Sequence, residues 1–314
     1  MAQHAATIEP TPAQAAVRRA LSGNRLNLGQ VWFQALLLLS LLVALGILIT
    51  LLVDTFSRGS SVLAERGADF LAAPTSANPA IAGIGQGIFG SLLIVVFVVV
   101  LAFPIGIGAA IYLEEYARDT PLTRLLNATV RNLAGVPAIV YGLLGLSIFV
   151  LALGGLTGGR SVIAGGLTMA VLVMPIVVIT TAEALRAVPA SIREAGYGVG
   201  ATKWEVIRHH VLPYAAPGML TGSILTLSRA FGETAPLVLA GGVLGGFATR
   251  PGLGAVEQLQ GPYTALPLII FNWSRQPSDM FRELSAAAII VLLAIILLLN
   301  AAAIIMRNRF ERRW

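Results

Sequence analysis

From residue 31 onward the chain alternates long apolar runs with short polar stretches. Six runs have the length of a bilayer crossing, near residues 31–53, 84–113, 133–153, 161–182, 214–243 and 284–306. A hydrocarbon core about 30 Å thick needs roughly 20 helical residues at about 1.5 Å of rise each. The pattern predicts an all-α polytopic membrane protein with six transmembrane helices. The run from Val31 to Val53 has no charge, and it is too long for a signal-peptide core of roughly 7–15 residues. The sixth run ends at Ile304-Ile305-Met306 and gives way to Arg307-Asn308-Arg309-Phe310-Glu311-Arg312-Arg313-Trp314, a membrane exit with a basic tail. Residues 1–30 read as an N-terminal tail, 31–83 as the first helix and an irregular external loop, 84–306 as the transmembrane core and 307–314 as the closing tail.

Composition agrees with the pattern. Apolar residues make up 56% of the 314 positions and charged residues 11%, against about 25% charged in soluble domains. So few charges cannot solvate so much hydrocarbon in water, which leaves lipid as the solvent. The net charge of +6 would suggest nucleic acid in a soluble protein, but here the cations lie between the apolar runs and record orientation instead. The N-terminal tail (Arg18, Arg19, Arg25), the second loop (Arg118, Arg124, Arg131), the fourth loop (Arg186, Arg193, Lys203, Arg208) and the C-terminal tail are about twice as dense in cations as the other three loops. That bias predicts two cytoplasmic termini. The fifth loop, 244–283, is broken by Gly245, Gly246, Pro251, Gly252, Gly254, Gly261 and Pro262, and reads as external and partly structured.

Several chemistries are closed to such a chain. Its single lysine, Lys203, lies between Thr202 and Trp204, so there is no Gly-Lys-Ser/Thr phosphate loop and any ATP-driven work belongs to another subunit. There is no His-Glu-x-x-His, and no cysteine to serve as thiolate ligand or nucleophile. His209 and His210 point about 100° apart on a helix, a poor chelate that reads as interfacial polarity. No apolar run contains a histidine or lysine base beside a hydroxyl nucleophile. The expectation is a non-enzyme with no cofactor of its own.

Two segments carry more. Between the fourth and fifth runs, residues 190–213 contain Arg193-Glu194-Ala195, glycines at 196, 198 and 200, and Leu212-Pro213. Pro189 with Ser191 and Glu194 can start a short helix. The glycines permit a turn, and Trp204 to Leu212 is amphipathic. Two short helices about a hinge make either a docking knob or a solvated connector. In the fifth run, Arg229 and Glu233 stand four residues apart, ahead of Thr234 and Pro236. Charges within a span are costly unless paired or facing water. The pair is therefore either an internal salt bridge that fixes helix orientation or part of a pathway in which Arg229 attracts an anion and Glu233 tempers the attraction.

Glu194-Ala195, Gly200 and Leu212-Pro213 resemble the EAA loop of ABC importer permeases, with departures at Gly196 and His210. The string Arg229-Ala230-Phe231-Gly232-Glu233-Thr234-Ala235-Pro236 is similar to the signature of permeases in phosphate-specific ABC importers. Ile111-Tyr112-Leu113-Glu114-Glu115-Tyr116-Ala117, the Asn132 to Gly142 segment and Thr264-Ala265-Leu266-Pro267 look like the A-type (PstA) subunit, and the resemblance covers roughly residues 84–314. It implies the type I importer permease fold in a bacterial inner membrane. It also implies a C-type permease partner, a pair of ATPase subunits that bind ATP and magnesium, and an extracytoplasmic phosphate-binding protein. Glu194, Ala195, Gly200, Leu212 and Pro213 would form the ATPase-coupling element, while Arg229, Glu233 and Thr234 would line the phosphate path. A permease for sulfate or molybdate is the alternative within this class, and an ion-coupled secondary transporter the alternative outside it.

Overall fold

The computed structural model describes residues 28–245 and 255–310, which form helices joined by turns and short loops. Besides a single turn at Gly154–Thr157, the elements are α1 (Leu28–Ala72), α2 (Gly85–Tyr116), α3 (Pro121–Ala134), α4 (Ala138–Ala152), α5 (Val162–Arg186), α6 (Ala190–Gly198), α7 (Lys203–Val206), α8 (Leu212–Gly232), α9 (Ala235–Leu239), α10 (Ala255–Leu259), α11 (Leu266–Ser274) and α12 (Asp279–Phe310). Helix α2 passes through π-helical turns at Val98–Ala102 and Tyr112–Tyr116, and another π turn, Ile207–Val211, joins α7 to α8 without a break.

The chain divides into two compact units, Met1–Asp54 and Thr55–Trp314. In the first, the described part of α1 exposes apolar side chains around its whole circumference, from Val31 and Trp32 to Leu52 and Val53. A helix apolar on every side is at rest only in hydrocarbon.

In the second unit, α5 is the central helix, with two-thirds of its most apolar stretch buried. Ser161 caps it by accepting the Ala164 amide at 3.2 Å. Met169, Val173 and Val177 of α5 pack with Ile94, Val98 and Ala102 of α2, Tyr141 of α4 and Tyr263. A second cluster surrounds Trp273, with Val62, Phe70, Ile84, Phe281, Leu284 and Ala287. A third, of Val178, Ala182, Leu185, Val188, Val206, Val211 and Ala215, sits where α5, α7 and α8 converge.

The structure corrects the expected six crossings. Among the described residues four helices are long and apolar enough to cross a membrane, namely α1, α2, α5 and α12; α3 and α4 taken as one bent span would make five. The run at 133–153 yields a helix only from Ala138, because Gly135 ends α3 and Pro137 cannot continue it; the two axes bend by 100°. In the run at 214–243, the helix stops at Gly232, and its prolines, glycines, hydroxyls and Arg229 leave α8 short of the apolarity of the other four. The placement of both termini in the cytoplasm rests on residues 1–27 and 311–314, which lie outside the described residues.

Three further boundaries differ. Residues 54–72, read as irregular, continue α1 with one interruption at Gly67, whose φ of +27° a β-carbon would resist. Gly59, Val62, Arg66 and Phe70 share the inward face of this segment. There Arg66 donates to the carbonyls of Pro79 (3.1 Å) and Ala82 (2.7 Å). Of the loop read as external, Tyr263 to Ile269 are buried, and Ser91 accepts the Leu266 amide at 2.9 Å; residues 246–254 of that loop lie outside the described residues. Helix α12 continues past Met306 to Phe310, and Arg307 donates to Thr221 at 3.3 Å.

Candidate functional site

The segment from Pro189 to Pro213 does form two short helices about a glycine. Helix α6 begins after Pro189, whose backbone is extended; Ser191 lies inside the helix instead of capping it. The chain reverses at Gly200 (φ +83°), and the Ala201 amide returns to the Gly196 carbonyl at 3.2 Å, a left-handed helix stop that glycine adopts without steric cost. Helix α7 starts with a capping box. The Thr202 amide donates to Glu205 Oε2 at 2.8 Å, and Thr202 Oγ1 accepts the Glu205 amide. Hydrogen bonds from the Thr202 backbone and then its hydroxyl hold the Glu205 carboxyl below its ordinary pKa.

The two departures from the EAA pattern are both accommodated. A β-carbon at position 196 would lie 2.7 Å from Val206 Cγ2, so Gly196 lets α6 lie close against α7. His210 is exposed; the packed face of that turn is Val206, Ile207, Val211 and Ala215.

What anchors the loop was not legible in its own sequence. Arg193 of α6 reaches into the protein and donates to Glu115 Oε1 at 2.6 Å, to the Val188 carbonyl at 2.9 Å and to the Leu185 carbonyl at 3.0 Å. The Glu115 side chain is only 5% exposed and that of Arg193 23%. One residue earlier, Glu114 takes a two-pronged grip from Arg186 at the end of α5, with Nε donating to Oε2 at 2.8 Å and Nη2 to the other oxygen. Lys203 places its ammonium 5.1 Å from the Tyr116 ring centre. The last turn of α2 thus holds three points of the loop and its entry: Arg186, Arg193 and Lys203.

Glu194 is exposed and forms no ion pair among the described residues. Ala195 and Pro213 are exposed and Leu212 half-buried. Of the expected coupling residues, Glu194 and Ala195 therefore offer an outward surface, while Gly200 and Leu212 shape the segment.

Arg229 and Glu233 do meet, with Nε donating to Oε1 at 3.2 Å. They do not share a helix. Helix α8 ends at Gly232, and Glu233 takes an extended backbone (φ −79°, ψ 118°) ahead of the short α9, so the break falls three residues before Pro236. Were the helix continuous, Pro236 would lack the amide that bonds the Gly232 carbonyl and its ring would crowd that oxygen. Ser228 donates to Asn300 Oδ1 of α12 at 2.6 Å beside a small cleft lined by Leu227, Phe231, Ile296 and Leu299. The Arg229 side chain is half exposed and Thr234 half-buried. No group of three metal-ligating side chains occurs among the described residues.

The architecture has counterparts among solved importers. It matches a subunit of a bacterial alginate ABC transporter in complex with an alginate-bound periplasmic protein (TM-score 0.65, 13% identity, covering 91% of this chain and 97% of that one). It also matches the inward-facing MetNI methionine ABC transporter (TM-score 0.58, 18% identity, 73% and 96% covered). The fold is shared with chains of these ABC transporters. The family profile for the binding-protein-dependent transport system inner membrane component matches residues 102–314, and the chain belongs to that family. Such subunits carry no ATP site; hydrolysis resides in a partner. Among curated relatives, a probable ABC transporter permease, YqgI of Bacillus subtilis, is 33% identical over 189 residues, 60% of this chain and 61% of its own. The phosphate transport system permease protein PstA of Mycobacterium leprae is 36% identical over 195 residues, 62% of this chain and 60% of its own. PstA of Yersinia pestis is 35% identical over 210 residues, 67% of each chain. The chain thus spans about three-fifths of the length of the first two relatives.

Proposed function

We propose that this chain is the A-type permease of an ATP-driven phosphate importer in a bacterial inner membrane. It would work with a C-type permease, two ATPase subunits and an extracytoplasmic phosphate-binding protein. The choice of phosphate rests on the relatives named as phosphate permeases. The coupling role rests on one observation: α6 is tied to the last turn of α2 by the Arg193–Glu115 pair.

A lever transmits displacement only if it is stiff where it meets the load. The exposed side chains of α6, Glu194 and Ala195 among them, offer the surface for an ATPase groove. A push on α6 passes through Arg193 to Glu115 and so into α2, and through the Leu185 and Val188 carbonyls into the end of α5. A buried, multiply bonded ion pair resists bending because each group would be left uncompensated if they parted. Gly200 lets α7 turn back, so that the same motion enters α8 through the π turn.

Helix α8 delivers that motion to Arg229, Glu233 and Thr234. Backbone that leaves the helix beside membrane-crossing helices is tolerated where it is buried in protein or lines water. A guanidinium that is half exposed and only partly neutralised offers a passing oxyanion a brief stop. Phosphate keeps a proton at neutral pH and can donate it in a hydrogen bond to Glu233, which sulfate cannot do.

Proteoliposomes containing the chain, its permease partner and the ATPase, with ATP enclosed and the binding protein and radiolabelled phosphate outside, test this reading. ATP-dependent accumulation of phosphate over sulfate and molybdate is the expected result. Transport of another oxyanion instead, or accumulation driven by a proton gradient without the ATPase, would reject it.

A further inference from the structure

Helix α3 occupies most of the second loop expected between the apolar runs, yet it is a folded helix with two unlike faces. Thr120 caps it by accepting the Thr123 amide at 3.2 Å, and Pro121 occupies its first turn. None of its residues is fully buried. It rests on α5 through a half-buried strip of Thr123, Asn127, Val130 and Ala134. That strip is not the leucine face. Leu122, Leu125, Leu126 and Leu133 are 64%, 63%, 43% and 40% exposed, and at about 100° per residue they gather on one side of the helix. Arg124 and Arg131 emerge on the opposite side, roughly 180° away.

We infer that α3 lies in the plane of the membrane as an anchor, with its leucines in the acyl region and Arg124 and Arg131 at the headgroup phosphates. Three observations point to a lipid surface as the occupant. The axis turns by 100° relative to apolar α4, so when α4 stands across the bilayer α3 lies along it. The leucine and arginine faces oppose each other across the helix, as a boundary between hydrocarbon and water requires. Of the segment's cations Arg118, Arg124 and Arg131, Arg124 alone forms an ion pair among the described residues, a largely exposed 3.6 Å contact with Asp119. The excess positive charge complements anionic headgroups. Anchored there, α3 would hold the region between the Glu114–Glu115 turn and α4 at a fixed depth.

The chain contains no cysteine, so single labels can be introduced without first removing a native thiol. Leu122→Cys, Leu126→Cys and Leu133→Cys, with Arg124→Cys, Ala128→Cys and Arg131→Cys, would be nitroxide-labelled in the full chain. The labelled chain would be reconstituted in phosphatidylethanolamine–phosphatidylglycerol vesicles. Collisions with oxygen, which favours lipid, and with a water-soluble nickel chelate are then compared at each site. The expected result is oxygen-dominated relaxation at the three leucine positions and nickel-dominated relaxation at Arg124 and Arg131, alternating with helical period. Equal nickel access on both faces would overturn the inference. So would leucine positions shielded from both reagents, which would mark a protein partner or a second copy on that face.

Discussion

Glu115 and Arg193, 78 residues apart in the chain, meet at 2.6 Å with the carboxylate almost wholly withdrawn from solvent. Removing one member leaves the other buried and unpaired, which costs about 3–5 kcal/mol. Glu115→Gln is therefore expected to lower the thermal midpoint of the purified complex. It should also uncouple the complex, with ATP hydrolysis retained and phosphate uptake reduced at least tenfold. Pairing Glu115→Gln with Arg193→Gln should recover part of the lost stability, because neither substitution then strands a charge. Parallel uptake and hydrolysis assays with thermal scans provide the check; uptake unchanged in either single variant would remove the pair from the coupling route.

Glu114 and Arg186 form the contrasting case. Arg186 is 44% exposed along its side chain, and partly exposed ion pairs contribute about 0–1 kcal/mol. Glu114→Gln should shift the thermal midpoint little, less than Glu115→Gln does under identical buffer, and the shift should shrink as salt is added. A loss equal to that of Glu115→Gln would contradict this ranking of the two carboxylates.

For the pathway, Arg229→Gln removes the only cation on α8 and should reduce phosphate uptake by an order of magnitude or more while leaving the assembled complex intact on a sizing column. Glu233→Gln should retain more uptake but narrow the preference for phosphate over sulfate. If Arg229→Gln instead breaks assembly, the pair serves as a structural bridge.

Close backbone approach yields a stability prediction free of any transport assumption. A β-carbon on Gly90 would stand 1.9 Å from the Thr264 carbonyl oxygen, whereas one on Gly108, in the same helix, would meet nothing within 4 Å. Gly90→Ala should destabilise by about 1–3 kcal/mol through overpacking. Gly108→Ala should gain up to about 1 kcal/mol from helix propensity. Thermal unfolding in detergent, with both variants side by side, reads the sign of each.

Much of this was legible beforehand because bilayer physics is coarse. The apolar runs at 84–113, 161–182 and 284–306 each proved to be part of a single long helix. The turn at Gly200 was found where the glycines placed it, and Arg229 and Glu233 do pair, but across the end of α8 and not along one helical face. Counting runs failed where a run's hydrocarbon was not one helix. Gly135 and Pro137 split one run, and the break at Glu233 split another. Residues 54–72 were misread because charges at Asp54, Arg58, Glu65, Arg66 and Asp69 hid a helical face formed by Gly59, Val62 and Phe70. Arg193's partner was invisible for a different reason: adjacent acids at the end of an apolar run look like interfacial residues, and no local spacing ties them to an arginine 78 residues later.

That long separation also bears on biosynthesis. At a ribosomal rate of about 5–20 residues per second, roughly 4–16 seconds pass between emergence of Glu115 and of Arg193. Throughout that interval the acid must stay hydrated beside the translocation machinery. Its address at the tail of α2, and not partway along, gives the newborn segment access to water until its guanidinium arrives.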